Sequence, residues 1–123
     1  MDFPFWSRIA SLLMFLVVAL GAFGAHALKA RLSPDLLAIF ETGVRYQAYH
    51  ALGIFAAVFL GDRFDARFAP QAAACFALGV FIFSGSLYAL ALTGLRKLGM
   101  ITPLGGLLFL IGWALLAASS YKA

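Results

Sequence analysis

Residues 43–61 read GVRYQAYHALGIFAAVFLG, an apolar run that opens with Tyr46, Gln47 and His50. From Tyr46 onward the run contains no Asp, Glu, Lys or Arg. A membrane-spanning helix needs about 20 mainly apolar residues. We therefore expect this span to begin before Tyr46, at about Thr42, with the Arg45 side chain reaching back to the membrane interface. The segment combines a membrane span with polar side chains close to one of its ends.

The composition is that of an integral membrane protein. Of the 123 residues, 64% are hydrophobic and 11% are charged, whereas a soluble domain is about half apolar and a quarter charged. So small a core cannot bury this excess of apolar side chains. Short basic loops beside membrane spans explain the net charge of +4. We therefore expect the lipid bilayer, and no nucleic acid, as a partner.

The charged residues divide the chain into four spans. They fall in short clusters, and the segments between the clusters carry no Asp, Glu, Lys or Arg. These segments are Ile9–Leu28, Tyr46–Gly61, Phe68–Leu95 and Leu98–Tyr121. Backbone groups in lipid must hydrogen-bond internally, so each segment is predicted to be a helix. Short connections make neighbouring helices antiparallel.

The predicted fold is thus an all-α membrane protein, a four-transmembrane-helix antiparallel bundle formed by a single domain over residues 1–123. The helices are expected at about 6–28, 43–61, 70–94 and 100–119. Ser33 suits a helix N-cap and Pro34 a first helical position. They predict a short interfacial helix between helices 1 and 2, at about 34–41.

The charge clusters also suggest an orientation. We call side A the side that carries both termini and the 62–67 loop, and side B the opposite side. Side A carries Arg8, Arg63, Arg67 and Lys122, and side B carries Lys29, Arg31, Arg45, Arg96 and Lys97. The positive-inside rule, weighted toward the first helix, favours side B inside. Both termini are then expected on the outer side of the membrane.

Polar residues within the spans gather toward side B. Their positions along the four helices predict a polar pocket, or at least a hydrogen-bonded layer, in that half of the bundle. The candidate ligand-binding residues are His26, Tyr46, Gln47, His50, Ser84, Tyr88 and Thr102. On a helical wheel, His50 shares a stripe with Tyr46, Gly53 and Ala57. Small residues mark close packing in membranes, so we expect His50 to point inward.

Glycines predict where the helices approach one another. Gly21 and Gly24 lie on a small-residue stripe of the first helix, Gly53 shares the stripe of His50, and Gly105 occupies a similar stripe in the fourth helix. Small residues at these positions let helix backbones come close in lipid.

The histidines have three alternative interpretations. Each could be a neutral imidazole bonded across helices, or part of a proton- or ligand-linked site. A metal site needs three or four ligands, but Glu41 is the only acid near His26 and His50, and Cys75 lies toward side A. We therefore expect no metal and no cofactor. No Asp or Glu lies within a span to act as an acid or base, so no enzymatic activity is expected.

Three stretches carry a family resemblance. They are GAFGAHALKARLSPDLLAIFETGVRYQAYHALG, FSGSLYALALTG and LGMITPLGGLLFLIGW. With them the chain resembles the domain of unknown function 423 family and is similar also to eukaryotic transmembrane protein 256. The resemblance implies a four-helix protein of the bacterial inner membrane and no particular activity. Its pattern includes all seven candidate polar residues, and it also includes Gly85 and Gly106, which we expect to be helix-packing positions.

Two functions remain open. The first is binding or passage of a small solute, ion or lipid headgroup through the polar pocket. The alternative is a structural or assembly protein whose glycines and histidines serve helix packing and homo-oligomerisation. A hydrated cavity that reaches side B favours the first function, and a dry, filled bundle favours the second.

Overall fold

The computed structural model describes residues 1–123 and consists of helices and their connections, without strands. The helices are α1 (Phe3–Val18), a π-helical segment (Ala19–Gly24), α2 (Ala25–Leu28), α3 (Pro34–Phe64), α4 (Ala69–Thr93), a 3-10 helix (Arg96–Met100) and α5 (Thr102–Ala118). Since α1, the π-helical segment and α2 are continuous, the chain has four long helices. The predicted all-α membrane bundle is confirmed.

The four long helices differ in hydropathy. Three segments are long and apolar enough to cross a membrane, namely Phe3–Leu28, Ala69–Thr93 and Arg96–Ala118. The α3 helix is not among them, because Gln47, His50 and the charged residues at its two ends lower its hydropathy. The helix that carries the candidate site is therefore the most polar of the four.

The prediction of a separate interfacial helix at 34–41 is wrong. Residues 34–41 are the first turns of α3, which is a single helix of 31 residues. No residue within α3 has a positive φ, the backbone conformation that would break the helix. A helix of this length extends for about 46 Å at 1.5 Å per residue. It is longer than the hydrocarbon core of about 30 Å, so its first turns extend beyond the span on side B.

The α3 and α4 helices form the central pair of the bundle. Their contact is the most extensive, α1 packs on α3, and α5 packs on α4. Contacts between α1 and α5 are few or absent. The buried core between the helices is filled mainly by alanines together with Ile54, Phe76, Val80 and Phe109. The outer faces of α1 and α5 consequently remain exposed to lipid.

Contacts on side A join the C-terminal end of the chain to the turn between α3 and α4. The backbone N–H of Lys122 donates to Phe64 O at 2.7 Å, and Phe68 N–H donates to Ser119 Oγ at 3.1 Å. The Lys122 ammonium lies 2.7 Å from the Asp65 carboxylate and holds the pKa of that carboxyl below its usual value. Asp65 in turn raises the pKa of Lys122. Because both side chains are exposed, salt screens this pair.

The glycines differ in how closely their neighbours approach. A Cβ on Gly105 would lie 2.5 Å from Phe83 N, a backbone atom of α4 that cannot rotate away. A Cβ on Gly53 would meet Phe76 at 3.1 Å, and one on Gly21 would meet Val44 at 3.1 Å. These three positions are close helix contacts.

Three other predicted packing positions are looser or open. A Cβ on Gly24 or Gly106 would meet its nearest neighbour at 3.6 or 3.8 Å, which is ordinary contact. Nothing lies within 4 Å of a Cβ on Gly85. The close packing expected at Gly85 is therefore not found within the chain, because this face of α4 has no helix against it. Gly79 and Gly112 instead provide close contacts, at 2.6 Å to Phe109 and 2.5 Å to Phe76.

We predict that Gly105→Ala destabilises the bundle by about 1–3 kcal/mol, the usual cost of overpacking. The added methyl group forces α4 and α5 apart. Gly85→Ala is the matched control and should leave stability unchanged or slightly raised, because alanine favours the helix. Thermal unfolding of both variants in one detergent measures the difference. Equal unfolding temperatures would contradict the close contact between α4 and α5.

Candidate functional site

Gln47 joins three helices through its side-chain amide. Its Nε2 donates to the Leu13 carbonyl of α1 at 2.8 Å, and its Oε1 accepts from the Tyr88 hydroxyl of α4 at 2.7 Å. The Gln47 residue is only 2% exposed. In lipid, a polar group without a partner costs several kcal/mol, so these two bonds fix the positions of α1 and α4 relative to α3.

Two serines of α4 make further bonds between helices. The Ser84 hydroxyl donates to the Gly43 carbonyl of α3 at 2.6 Å. Ser86 Oγ lies 2.6 Å from Thr102 Oγ1 of α5. Every neighbouring pair of long helices is thus joined by at least one side-chain hydrogen bond.

His50 is held between α3 and α5 by both of its ring nitrogens. Nδ1 lies 2.7 Å from the Tyr46 carbonyl oxygen, and Trp113 Nε1 lies 3.1 Å from His50 Nε2. A carbonyl only accepts and an indole N–H only donates. The ring is therefore the neutral tautomer that carries its proton on Nδ1. Both nitrogens are already used, so neither is free to bind a ligand.

The buried polar groups satisfy one another. No buried side-chain nitrogen or oxygen lacks a hydrogen-bond partner. The candidates Gln47, His50, Ser84, Tyr88 and Thr102 all form bonds within the chain. The alternative of a hydrogen-bonded layer therefore describes this half of the bundle better than an open polar pocket.

His26 does not join this layer. It lies on α2, the last turn of the first long helix, and its side chain is exposed. Its predicted grouping with Gln47 and His50 is corrected, because three and a half turns separate it from the Leu13 carbonyl that meets Gln47. Sequence order placed His26 toward side B but did not give the direction of its side chain.

An open groove lies beside the layer, between α3, α4 and α5. We call it the aromatic groove, and it has a volume of about 410 Å³. Its lining consists of Tyr46, Tyr49, His50, Phe83, Gly106, Phe109, Leu110 and Trp113. Tyr49, Leu110 and Trp113 are 51%, 69% and 43% exposed, so the groove opens sideways from the bundle toward lipid.

Ring stacking holds the walls of the aromatic groove. The rings of His50 and Phe109 are nearly parallel, at 5°, with their centroids 3.5 Å apart. Phe83 lies 4.8 Å from Tyr46 and 5.3 Å from Phe109 between ring centroids. Such pairs contribute about 0.5–1.5 kcal/mol beyond simple burial. The groove is therefore formed before any molecule enters it.

A second groove, which we call the α1 groove, lies between α1, α3 and α4 and has a volume of about 350 Å³. Its floor includes Gln47 and Tyr88, and its remaining lining is apolar apart from the glycine at 85. It lies on the face of α4 where Gly85 has no neighbour.

Trp113 and Phe83 line the aromatic groove but are not among the site residues predicted from the sequence. The signal for Trp113 was its position, because an indole in the middle of a span rather than at the interface needs an acceptor for its N–H. Phe83 carries no comparable signal, since a phenylalanine in a span is ordinary. Only the fold places its ring beside Tyr46.

We predict that the Gln47–Tyr88 bond contributes a measurable coupling energy. Tyr88→Phe should cost about 1 kcal/mol of unfolding free energy, which is within the range of interhelical hydrogen bonds. The same substitution in a Gln47→Leu background should cost close to nothing, because the acceptor is gone. Tyr49→Phe serves as a control, since that exposed ring lies outside the layer. Equal costs in both backgrounds would contradict the bond.

We also predict the protonation pattern of His50. Nitrogen-15 NMR of the ring should show a proton on Nδ1 and none on Nε2, because Nε2 accepts from Trp113. In Trp113→Phe the Nε2 signal should shift, while the Nδ1 signal stays close to its original position. A proton on Nε2 in the unsubstituted protein would contradict the geometry.

Comparison with known proteins agrees with the assignment of this chain as a membrane protein. Residues 20–106 match the family model described as "Protein of unknown function (DUF423)". The UPF0382 membrane protein YwdK of Bacillus subtilis is 43% identical over 108 residues, which cover 87% of this chain and 88% of YwdK. The UPF0382 inner membrane protein YgdD of Escherichia coli is 41% identical over 108 residues, which cover 88% of this chain and 82% of YgdD. No solved structure matches this chain. The matched segment includes α3, α4 and the start of α5, and the chain belongs to the DUF423 family of membrane proteins.

Proposed function

We propose that this chain is a non-enzymatic membrane protein that binds a lipid in the aromatic groove. The observation that carries the proposal is the groove itself, a preformed cleft of about 410 Å³ that opens toward the bilayer. Phe83 and Phe109 form its floor, and Tyr49 and Trp113 form its rim. A cleft with this apolar lining suits an acyl chain better than a small polar solute.

The filled interior favours binding at the surface over passage through the centre. Ile54 and Phe76 are fully buried and occupy the space between α3 and its neighbours. The polar residues that a solute would need already bond to one another. Passage would require these bonds to open, at a cost that no neighbouring water in the span offsets.

Rigid walls are the physical basis of selectivity for such a ligand. A hydrophobic driving force is missing in a bilayer, because lipid tails are as apolar as the groove. Selective binding must therefore come from shape and from dispersion contacts. The stacked rings and the bond from Trp113 to His50 keep that shape fixed. Binding of an acyl chain therefore costs little conformational entropy, because the protein around it is already ordered.

A structural or assembly role is the second candidate. It is favoured by the open surface at Gly85, where a helix of another copy of this chain could lie in the α1 groove. Small residues in lipid-facing positions allow such close approach. In that case the hydrogen-bonded layer serves only to hold the bundle together.

The experiment that separates the two candidates fills each groove in turn. Gly106→Leu adds a side chain to the aromatic groove, and its Cβ is tolerated because the nearest atom is 3.8 Å away. Gly85→Leu is the matched control and adds the same side chain to the α1 groove. Native mass spectrometry of each purified variant counts the lipids retained and the copies of the chain.

We predict that Gly106→Leu loses the retained lipid and that Gly85→Leu keeps it. Thermal unfolding should show that both variants remain folded. Lipid retained equally by Gly106→Leu and the unsubstituted protein would overturn lipid binding in the aromatic groove. Loss of a dimer in Gly85→Leu alone would support the assembly role.

A further inference from the structure

We propose that the lipid held in the aromatic groove is anionic and that its headgroup pairs with the guanidinium of Arg45. This inference rests on the proposed function, since it names the class of lipid that the same groove takes. It adds a residue that does not line the groove itself and that lies where the headgroup of a bound lipid would be.

Arg45 lies on the groove side of α3, one turn closer to side B. Tyr49, which lines the groove, is four residues further along the helix. Residues four apart lie on the same face of a helix, about 6 Å apart along its axis. Helical side chains lean toward the N-terminus, which for α3 is the side B end. The Arg45 side chain therefore extends from the rim of the groove toward the interface.

The charge of Arg45 is free to act on a ligand. Arg45 is exposed and forms no ion pair. The two ion pairs of the chain join Arg96 to Asp35 and Lys122 to Asp65. Glu41 is four residues before Arg45, yet the two do not form an ion pair. A guanidinium suits the geometry of a phosphate group and binds it with two hydrogen bonds.

The wider charge distribution has the same sign. Side B carries five Lys or Arg residues against two acidic residues, whereas side A carries four against three. Basic residues close to a membrane surface attract anionic headgroups. This general attraction acts on every lipid around side B, so the test must separate it from a specific contact at Arg45.

The test compares two lipids that differ only in the headgroup. The purified protein is equilibrated in detergent with equal amounts of phosphatidylglycerol and phosphatidylcholine of the same acyl chains, and native mass spectrometry counts each bound species. We expect the unsubstituted protein to retain phosphatidylglycerol by roughly fivefold over phosphatidylcholine, as one interfacial basic residue predicts. Arg45→Gln should keep one bound lipid and lose the preference.

Arg31→Gln is the matched control. It removes one positive charge from side B, but Arg31 lies in the connection between α2 and α3 and not on the face of α3 that carries Tyr49. This variant should keep the fivefold preference. A preference that persists in Arg45→Gln, or that falls equally in both variants, would overturn the role of Arg45.

Gly106→Leu distinguishes failure of this inference from failure of the proposed function. If Gly106→Leu releases the lipid while Arg45→Gln keeps the preference, the groove binds lipid and Arg45 does not select it. If Gly106→Leu still holds the lipid with the same preference, the groove is not the site and both proposals fail. Unchanged thermal unfolding of Arg45→Gln shows that its effect is on binding and not on folding.

Discussion

The bundle depends on the need to satisfy a buried glutamine in lipid. Water is absent from the hydrocarbon core, so the Gln47 amide can be accommodated only if protein groups bond to it. The Leu13 carbonyl and the Tyr88 hydroxyl provide these bonds from two different helices. Gly43 makes the approach possible, because a Cβ there would lie 2.8 Å from the Tyr88 ring. One side chain thus sets the register of α1, α3 and α4.

The fourth long helix is positioned by a different pair of bonds, and these also shape the candidate site. Thr102 bonds to Ser86 at the start of α5, and Trp113 donates to His50 further along it. The Trp113 bond keeps its indole at the rim of the aromatic groove, and the stacked Phe109 ring forms the floor. The role of these polar side chains is therefore structural. Their bonds hold apolar rings in place, and the rings define the surface that faces lipid.

The sequence predicted the fold well because charge and lipid impose simple constraints. Charged clusters located all four long helices, and the polar residues of the second and third spans do meet. The separate interfacial helix was wrong, since Ser33 and Pro34 mark the start of a helix but do not say where it ends. Gly43 does not mark a helix end, since α3 continues through it, and its missing side chain leaves room for the Tyr88 ring.

The side-chain environment was less predictable from the sequence. His26 lies at about the same height along the bundle as other polar residues, but its side chain is exposed. The direction of this side chain depends on the preceding π-helical segment, which rotates the last turn of this long helix. The open side of Gly85 depends on where α1 and α5 lie around the central pair. Neither feature has a local signal in the sequence. The pairing of His50 with Trp113 likewise joins residues 63 positions apart.

A structure determined in a lipid nanodisc, at a resolution that shows ordered water, would distinguish a hydrogen-bonded layer from a solute site. We expect a dry contact between Gln47, Tyr88 and Leu13 and an elongated lipid density along Phe83, Phe109 and Trp113. A chain of water molecules reaching Gln47 from side B, with His50 turned toward it and the aromatic groove empty, would contradict both the dry layer and lipid binding in the groove. That result would instead favour a solute-binding site in the polar layer.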